Sequence, residues 1–250
     1  MVPEKVVIGN AELWHGDCRE VLPLLPVHDL LLTDPPYGIG ESSAKVESRQ
    51  RGGKLGTLLG YKGKAMANQK DYGAFDWDQE PPPSDLIDAM RACCKWQAIF
   101  GGNYFGLPAS SCWLVWDKLN GDNDFADCEL AWTSFKSAVR KVKFKWHGML
   151  QQDMKNKEIR QHPTQKPVAL YKWILQNYAR PGDKILDPMM GSQSSRIAAY
   201  DMGFDYWGAE KDCDYFRDGE KRFKTHIANK TSLFAPEEMY DFKQTKLFQE

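Results

Sequence analysis

Short apolar runs of three to five residues recur along the chain, and several of them end at an acid or a glycine. Between them lie longer stretches whose apolar positions are three or four residues apart. The first pattern is typical of buried strands and the second of helices that cover a sheet. The predicted strands are Leu13–His15, Leu30–Thr33, Ala98–Gly101, Trp113–Trp116, Glu129–Thr133, Ile185–Asp187 and Tyr206–Ala209. The predicted helices are Arg19–Leu25, Ser84–Lys95, Val168–Tyr178, Ser194–Met202 and Asp214–Ala228.

This alternation predicts an α/β fold with a doubly wound, mostly parallel, seven-stranded sheet. The chain has 250 residues, of which 42% are hydrophobic, and these can bury one substantial core. We therefore expect a single domain over residues 1–250. Residues 229–250 are polar enough to form a C-terminal tail.

The tetrapeptide Asp34-Pro35-Pro36-Tyr37 follows the apolar run Leu30–Thr33 and precedes Gly38. The two prolines have fixed φ angles and no backbone N–H, so the turn is rigid and offers hydrogen-bond acceptors. An exocyclic amino group, which only donates, fits the Asp34 carboxylate and the Pro35 carbonyl. The Tyr37 ring supplies a face on which a heterocyclic base can stack. The turn is therefore predicted to hold an aromatic amine.

A second strand, Lys184–Asp187, ends in an acid and leads through Gly191 into an Ala-rich helical stretch. About twenty residues later the run Tyr206–Ala209 ends at Glu210. A strand, glycine turn and helix seat nucleoside-like cofactors at the carboxyl ends of strands, and an acid after the next strand can accept both ribose hydroxyls. These two segments therefore predict a nucleoside site.

With the segment His162-Pro163-Thr164-Gln165-Lys166-Pro167, these motifs carry a resemblance to the beta class of S-adenosylmethionine-dependent DNA amino-methyltransferases. In that class the DPPY-type motif precedes the cofactor motif, so that the sheet is a circular permutation of the usual methyltransferase sheet. The match runs from the turn Gly16-Asp17-Cys18 to Glu210. Three spaced motifs in one order are much more specific than any single one.

The resemblance implies a role for each matching position. Catalysis and stacking of the target base fall to Asp34, Pro35, Pro36 and Tyr37. The implied contacts to S-adenosylmethionine are Asp17, Cys18, Asp34, His162, Thr164, Lys166, Asp187, Pro188, Met189, Gly191, Ser192, Glu210 and Lys211. The chain departs from the family's cofactor turn at Met189, where phenylalanine is usual, and at Gln193, where glycine is usual. Since glycine permits a positive φ, Gln193 bears on the geometry of the cofactor turn.

The reaction that the resemblance implies is methylation of the adenine N6 in double-stranded DNA. The acceptors of Asp34 and Pro35 would draw the delocalised nitrogen lone pair toward a tetrahedral geometry. A sulfonium methyl is already electrophilic, so no metal is required. A base inside a duplex cannot reach such a buried turn, and it must be extruded at a cost of a few kcal/mol.

Two basic segments stand out in a chain of formal charge −1. Residues 41–70 carry seven basic and two acidic side chains, and residues 136–166 carry nine and two. Such asymmetry indicates contact with a polyanion. We expect residues 39–80 to form a mobile loop that contacts DNA, and residues 136–161 to form a short target-recognition region. The predicted DNA contacts are Lys45, Arg49, Arg51, Lys54, Lys62, Lys64, Arg140, Lys141, Lys143 and Lys145.

Alternative functions stay open at this point. The same acceptors would hold the N4 amino group of cytosine, although serine in place of Asp34 is typical of the cytosine enzymes. RNA and protein glutamine amides are more distant substrates. Gln193 motivates another class, a catalytically silent DNA-binding relative, which would leave S-adenosylmethionine unbound.

The six cysteines form no C-x-x-C pair, and the sequence contains no apolar run long enough to span a membrane. Both features predict a cytoplasmic protein with reduced thiols. The resemblance implies a homodimer, since enzymes of this class are often dimers. The tail residues Gln244, Leu247 and Phe248 resemble peptides that dock on bacterial sliding clamps, but packing of Leu247 and Phe248 on their own domain is the commoner arrangement.

Overall fold

The computed structural model describes residues 3–39, 78–120, 126–147, 150–155, 157–160, 162 and 164–233. The strands of the described residues are β1 Glu4–Ile8, β2 Ala11–His15, β3 His28–Thr33, β4 Cys94–Phe100, β5 Trp113–Asp117, β6 Cys128–Thr133, β7 Arg140–Lys143, β8 Trp146–His147, β9 Leu150–Gln151, β10 Lys184–Asp187 and β11 Asp205–Glu210. The helices are α1 Cys18–Val21, α2 Ser84–Ala92, α3 Val168–Tyr178, α4 Ser194–Asp201 and α5 Cys213–Leu233. Two short 3₁₀ turns span Leu22–Leu24 and Gly102–Tyr104.

Nine strands form one sheet in the order β1-β2-β11-β10-β3-β4-β6-β5-β7, and β8 and β9 form a separate hairpin. The five consecutive strands β2, β11, β10, β3 and β4 are parallel to one another, while β6 lies antiparallel between β4 and β5. The predicted mostly parallel α/β sheet is confirmed.

Side chains of alternate residues divide the core into two layers. Leu30 and Leu32 of β3 belong to a cluster that contains residues of α3, α4 and α5, whereas Leu31 belongs to a cluster with residues of α1 and α2. This division follows from the two-residue period of a strand. Apolar residues on both faces explain why Leu30–Leu32 has no polar position.

All seven predicted strands are present, and two further strands lengthen the sheet. β1 was missed because charged and apolar residues mix in its five positions, and it pairs antiparallel with β2 at one edge. The alternation of basic and apolar residues from Arg140 to His147 predicts a strand with one basic and one apolar face. In the structure β7 covers its first four residues and pairs parallel with β5 at the other edge, with Leu114 opposite Arg140.

Two predicted helices were too long. The first ends as an α-helix at Val21 and continues only as a 3₁₀ turn, because Pro23 has no N–H for an α-helical hydrogen bond. The second ends at Ala92, since Cys94 and Lys95 already belong to β4, where Cys94 pairs with His28 of β3. Cross-strand pairing there prevails over helical periodicity.

Candidate active site

The site lies where the order of the sheet reverses, between β3 and β10. The chain leaves β3 toward α2 on one face of the sheet and leaves β10 toward α4 on the other face. A crevice opens at such a switch point, beyond the carboxyl ends of the two strands. Thr33 Oγ1 donates to Asp187 Oδ1 across it at 2.8 Å. The two predicted motifs are therefore neighbours in space.

The turn after β3 is held by its backbone. The backbone N–H groups of Tyr37 and Gly38 both donate to Asp78 Oδ1, at 2.8 and 2.9 Å. Pro35 is buried and Pro36 is half-buried. Because of the two prolines and the two hydrogen bonds to Asp78, the backbone from Asp34 to Gly38 has little conformational freedom. Asp78 was not predicted from the sequence, since it is far from the motif along the chain.

The Tyr37 ring is fixed by aromatic neighbours. It stacks on the Tyr104 ring, with ring centroids 5.0 Å apart and planes at 17°. It also packs edge-on against the Phe105 ring, with ring centroids 6.5 Å apart. Gly101 has φ of +67°, and a Cβ atom there would lie 2.1 Å from Cε1 of Tyr37. Only glycine fits between the end of β4 and this ring.

Gly101→Ala should therefore displace the Tyr37 ring and lower methyl-transfer activity by at least about tenfold, since the side chain clashes and the backbone is strained. The control is Gly106→Ala, where a Cβ atom meets nothing within 4 Å. Initial rates of the two variants test this expectation. Equal rates would show that the position of the ring does not matter.

The carboxylate of Asp34 is engaged by two donors. Its Oδ1 accepts from the Tyr37 hydroxyl at 2.8 Å, and its Oδ2 pairs with the Lys166 ammonium. Lys166 also donates to the Tyr37 hydroxyl at 2.9 Å and pairs with Glu129 Oε2 at 3.1 Å. The resemblance implies a cofactor contact for Lys166, and its ammonium lies at the turn Asp34–Gly38, which is the predicted catalytic turn. Glu129 was missed because an acid at the start of a strand carries no motif.

Burial raises the pKa of Asp34, and the neighbouring Glu129 charge raises it further, against the effect of Lys166. For Glu129, burial is outweighed by Lys166 and Lys118, which lower its pKa to about 2. Burial lowers the pKa of Lys166, but the two carboxylates outweigh it and the net shift is upward. Asp34 is therefore the more basic of the two acids, and Lys166 stays charged.

The glycine turn after β10 faces Glu210 at the end of β11. The backbone N–H of Gly191 donates to Glu210 Oε2 and that of Asp212 donates to Oε1, each at 2.8 Å. Burial raises the pKa of Glu210 to about 7. Gly191 has φ of +44°, and the nearest atom to a Cβ placed there is His162 Nε2 at 4.0 Å. The space beside Gly191 is thus open and edged by an acceptor.

The other predicted cofactor residues surround this turn, with differing exposure. Asp17 caps α1 through Arg19 N–H at 3.0 Å and pairs with the exposed Lys211 at 3.2 Å. Thr164 Oγ1 lies 3.1 Å from His162 Nδ1, and the His162 ring lies 4.3 Å from that of Tyr215. Ser192 and Met189 are half-buried. Acceptors at Asp17 and Glu210 beside an open glycine turn fit the hydroxyls and amino group of an adenosine.

Three predicted cofactor residues have side chains that point into the protein. Asp187 is 1% exposed and accepts from Thr33 and Ser195 (2.8 and 2.6 Å), and burial raises its pKa to about 6. Cys18 packs in the core beneath α1, where burial raises its pKa to about 12. Pro188 is buried as well. These residues shape the turns, and only their backbones are placed to meet a ligand.

Gln193 adopts the left-handed conformation that its position requires. Its φ is +58°, it is fully buried, and its Oε1 accepts from Arg196 Nη1 at 2.7 Å. Its amide donates to the Phe216 carbonyl at 3.3 Å, and Gly219 of α5 leaves room for it. A left-handed non-glycine residue costs about 1 kcal/mol or more, which these contacts offset. The departure from glycine is therefore accommodated without losing the turn.

Arg222 of α5 connects the glycine turn to Glu158, in the predicted target-recognition region. It donates to the Ser192 carbonyl at 2.6 Å and to Ser194 Oγ at 2.9 Å, and it pairs with Glu158 at 2.7 Å. Glu158 in turn accepts from the N–H of Val168 at 3.0 Å, where α3 begins. Sequence reasoning missed this connection, because an arginine on a polar helix face has no distinguishing signal.

The predicted DNA contacts divide into two groups. Arg140, Lys141 and Lys143 are exposed on the edge strand β7, and Lys145 is half-buried. Lys141 lies 3.4 Å from Asp117. Val142 packs toward the core, so one face of this strand is basic and the other is apolar, as expected. The contacts predicted in the 39–80 loop lie outside the described residues; these are Lys45, Arg49, Arg51, Lys54, Lys62 and Lys64.

A sequence profile of the DNA methylase family matches residues 109–221. These residues include β5, the predicted recognition region, the glycine turn and Glu210. Over these residues the chain is similar to the DNA methylase family. This similarity supports its assignment as a DNA methyltransferase of the N6/N4 type.

Individual proteins that are similar to this chain are also named methylases or methyltransferases. The putative methylase YubD of Escherichia coli is 25% identical over 220 residues, which cover 83% of this chain and 87% of that protein. The DNA adenine methyltransferase YhdJ of the same organism is 35% identical over 89 residues, or 36% of this chain and 29% of that protein. The solved structure of the cytosine-N4-specific PvuII DNA methyltransferase has a TM-score of 0.52 at 14% identity and covers 95% of this chain and 91% of that chain. The last comparison bears on the fold alone.

Within the described parts of this methyltransferase, no helix is both long and apolar enough to cross a bilayer. The six cysteines are free thiols, and Cys128 is exposed.

Proposed function

We propose that this methyltransferase acts on the N6 amino group of adenine in double-stranded DNA, after the base has been extruded from the duplex. The observation that carries the proposal is the arrangement around Asp34. Its carboxylate, the Pro35 carbonyl and the Tyr37 ring lie at the end of β3, beside the glycine turn and Glu210. Asp34 favours adenine over cytosine, because serine is typical of the cytosine enzymes at this position.

The residues of the chain then divide the work. Asp34 and the Pro35 carbonyl accept the two hydrogens of the target amino group, and Tyr37 stacks on the base. Bound S-adenosylmethionine supplies a methyl group on a sulfonium, which leaves a neutral thioether when the nitrogen takes the methyl. Asp34, whose pKa burial raises, accepts the proton that the nitrogen loses.

Glu210 and Asp17 hold the cofactor through its hydroxyls and adenine, with the backbone of Gly191 and Ser192 close to its methionine part. Support comes from the open space beside Gly191 and from the Glu210 carboxylate at its edge. His162 and Thr164 line the same side. Lys211 acts on this site through its pair with Asp17.

We expect the affinity for S-adenosylmethionine to fall about tenfold from pH 8 to pH 6. The pKa of Glu210 is about 7, so the carboxylate becomes protonated over this range and loses acceptor strength toward the ribose hydroxyls. Calorimetric titrations at several pH values measure the effect. In Glu210→Gln the affinity should be low and nearly flat with pH, which removes the titration of the ligand itself as an explanation. A wild-type profile as flat as that of the variant would contradict the role of Glu210.

The basic face of β7 and the predicted 39–80 loop hold the DNA backbone. The enzyme does this either as the homodimer that the resemblance implies or as a monomer.

The contribution of the tail residues Gln244, Leu247 and Phe248 to sliding-clamp docking rests on the sequence alone, since they lie outside the described residues. Deletion of residues 240–250 tests it, and unchanged clamp binding would exclude it.

Expression in a bacterial host that lacks DNA methyltransferases tests the proposed function. Digestion of the host DNA to nucleosides should yield N6-methyladenine, and sequencing that detects modified bases should place it at one short site. N4-methylcytosine instead would assign the same acceptors to cytosine. Absence of both, with DNA binding retained, would favour the catalytically silent relative.

A further inference from the structure

Lys166 is the most enclosed charge at the catalytic turn. Its side chain is 3% exposed, and its ammonium has three polar partners among the described residues: Asp34, the Tyr37 hydroxyl and Glu129. It also lies 4.8 Å from the centroid of the Phe100 ring. An ammonium has three hydrogens to donate, so these partners satisfy it fully.

Asp34 is therefore occupied as the structure stands. The Tyr37 hydroxyl holds Oδ1, and Lys166 holds Oδ2. Each oxygen of Asp34 keeps a further lone pair, but the side chain is enclosed (16% exposed), so an amino group that donates to it competes for space with these donors. The Tyr37 hydroxyl belongs to a ring that is locked by Gly101 and Tyr104, whereas Lys166 ends a flexible four-carbon chain. Lys166 is the donor that can move.

Glu129 offers Lys166 a second partner at the same point. Lys118 pairs with Oε1 of Glu129, and Oε2 faces Lys166 at 3.1 Å and the Tyr37 hydroxyl at 3.3 Å. An enclosed ammonium that lost Asp34 without such a partner would be strongly disfavoured. With Glu129 in place the ammonium loses one carboxylate but keeps another, and it remains buried.

We propose that Lys166 is a positioning residue that occupies Asp34 until the target amino group arrives and is then retained by Glu129. This inference rests on the proposed function, because the displacing group is the exocyclic amine of the extruded base. It assigns Lys166 and Glu129 to the target-base side of the site. The ammonium keeps Asp34 ionised in the free enzyme and stays close enough to balance both carboxylates.

The pH behaviour of Asp34 depends on all the groups that face it. Burial and Glu129 raise the pKa of Asp34, and Lys166 and the Tyr37 hydroxyl lower it. The charged and titratable groups of the surrounding elements are Tyr37 in the turn, Lys118 after β5, Glu129 in β6, Lys166 before α3, Tyr171 in α3 and Asp187 in β10.

Two variants test the proposal through opposite shifts. In Lys166→Met the acid limb of the pH profile of kcat/KM should move to higher pH by about one unit, because Asp34 loses its positive neighbour. In Glu129→Gln that limb should move to lower pH. The KM for DNA should rise several-fold, because Asp34 is then the one carboxylate left to pair with the Lys166 ammonium. Lys166→Arg should largely restore the wild-type profile. Affinity for S-adenosylmethionine without DNA should stay within about twofold in all three variants, since these side chains do not line the cofactor turn.

An acid limb that does not move in Lys166→Met, or an unchanged KM for DNA in Glu129→Gln, would overturn the proposal and leave Lys166 a structural counter-ion. If Lys166→Met does not fold, Glu129→Gln decides alone. Methyl transfer by the wild-type enzyme is measured first. Its absence would overturn the proposed function, whereas transfer with unshifted profiles would overturn only the role of Lys166.

Discussion

Replacing Asp34 with alanine should lower the single-turnover rate of methyl transfer by about 10³-fold, because the target amino group loses the carboxylate that aligns it and takes its proton. The fold should tolerate the change, since Asp34 is at the end of β3 and Lys166 keeps Glu129 as a partner. Rapid-quench measurement, in which a preformed complex of excess enzyme with DNA is mixed with saturating S-adenosylmethionine, measures this single-turnover rate.

Asp34→Asn is the matched control for this experiment. An asparagine keeps one acceptor oxygen in the same place but has no charge, so its rate should lie between those of wild type and Asp34→Ala. Affinity for S-adenosylmethionine should change little in both variants, because Glu210 and Gly191 are untouched. A rate within threefold of wild type (about 0.7 kcal/mol) in Asp34→Ala would rule out the carboxylate as the aligning group.

Replacing Arg196 with alanine should lower the free energy of unfolding by about 3 kcal/mol. Arg196 is fully buried, pairs with Glu220 of α5 and lies 3.6 Å from the centroid of the Phe223 ring. Its loss leaves a cavity beneath α5, an acid without its buried partner and Gln193 without its donor. Urea denaturation without ligand measures the difference.

Lys224→Ala provides the comparison for Arg196. Lys224 lies 4.0 Å from the same Glu220 but is 67% exposed, so its removal should cost less than about 0.5 kcal/mol. If both variants lost the same stability, burial of the Arg196 pair would not be the cause. Loss of cofactor affinity in Arg196→Ala alone would further link Gln193 to the shape of the glycine turn.

Much of the sheet could be predicted from the sequence because its central strands are apolar on both faces. Leu30–Thr33 and Ile185–Asp187 stand out in this way, and an acid, Asp34 or Asp187, marks the end of each. The edge strands could not be predicted so well, since β1 and β7 carry charges and depend on one neighbour each. Their pairing is a property of the assembled sheet.

The motifs gave the site its location but not its internal contacts. Lys166 was assigned to the cofactor by resemblance, and its side chain instead reaches Asp34, 132 residues earlier in the chain. Glu129 and Arg222 carry no motif, because an ion pair between distant segments leaves no local pattern. At Gln193 the sequence marked the position as unusual but did not show how it is tolerated. Packing against α5 shows how the left-handed turn is stabilised.

Transfer of labelled methyl by the purified protein is the most direct test of the central claim. The protein is incubated with unmethylated double-stranded DNA and S-adenosylmethionine that carries the label in its methyl group, and the DNA is digested to nucleosides. The account predicts that the label elutes with N6-methyladenine. Label in N4-methylcytosine, or DNA that stays unlabelled although protein binds both DNA and cofactor, would contradict it.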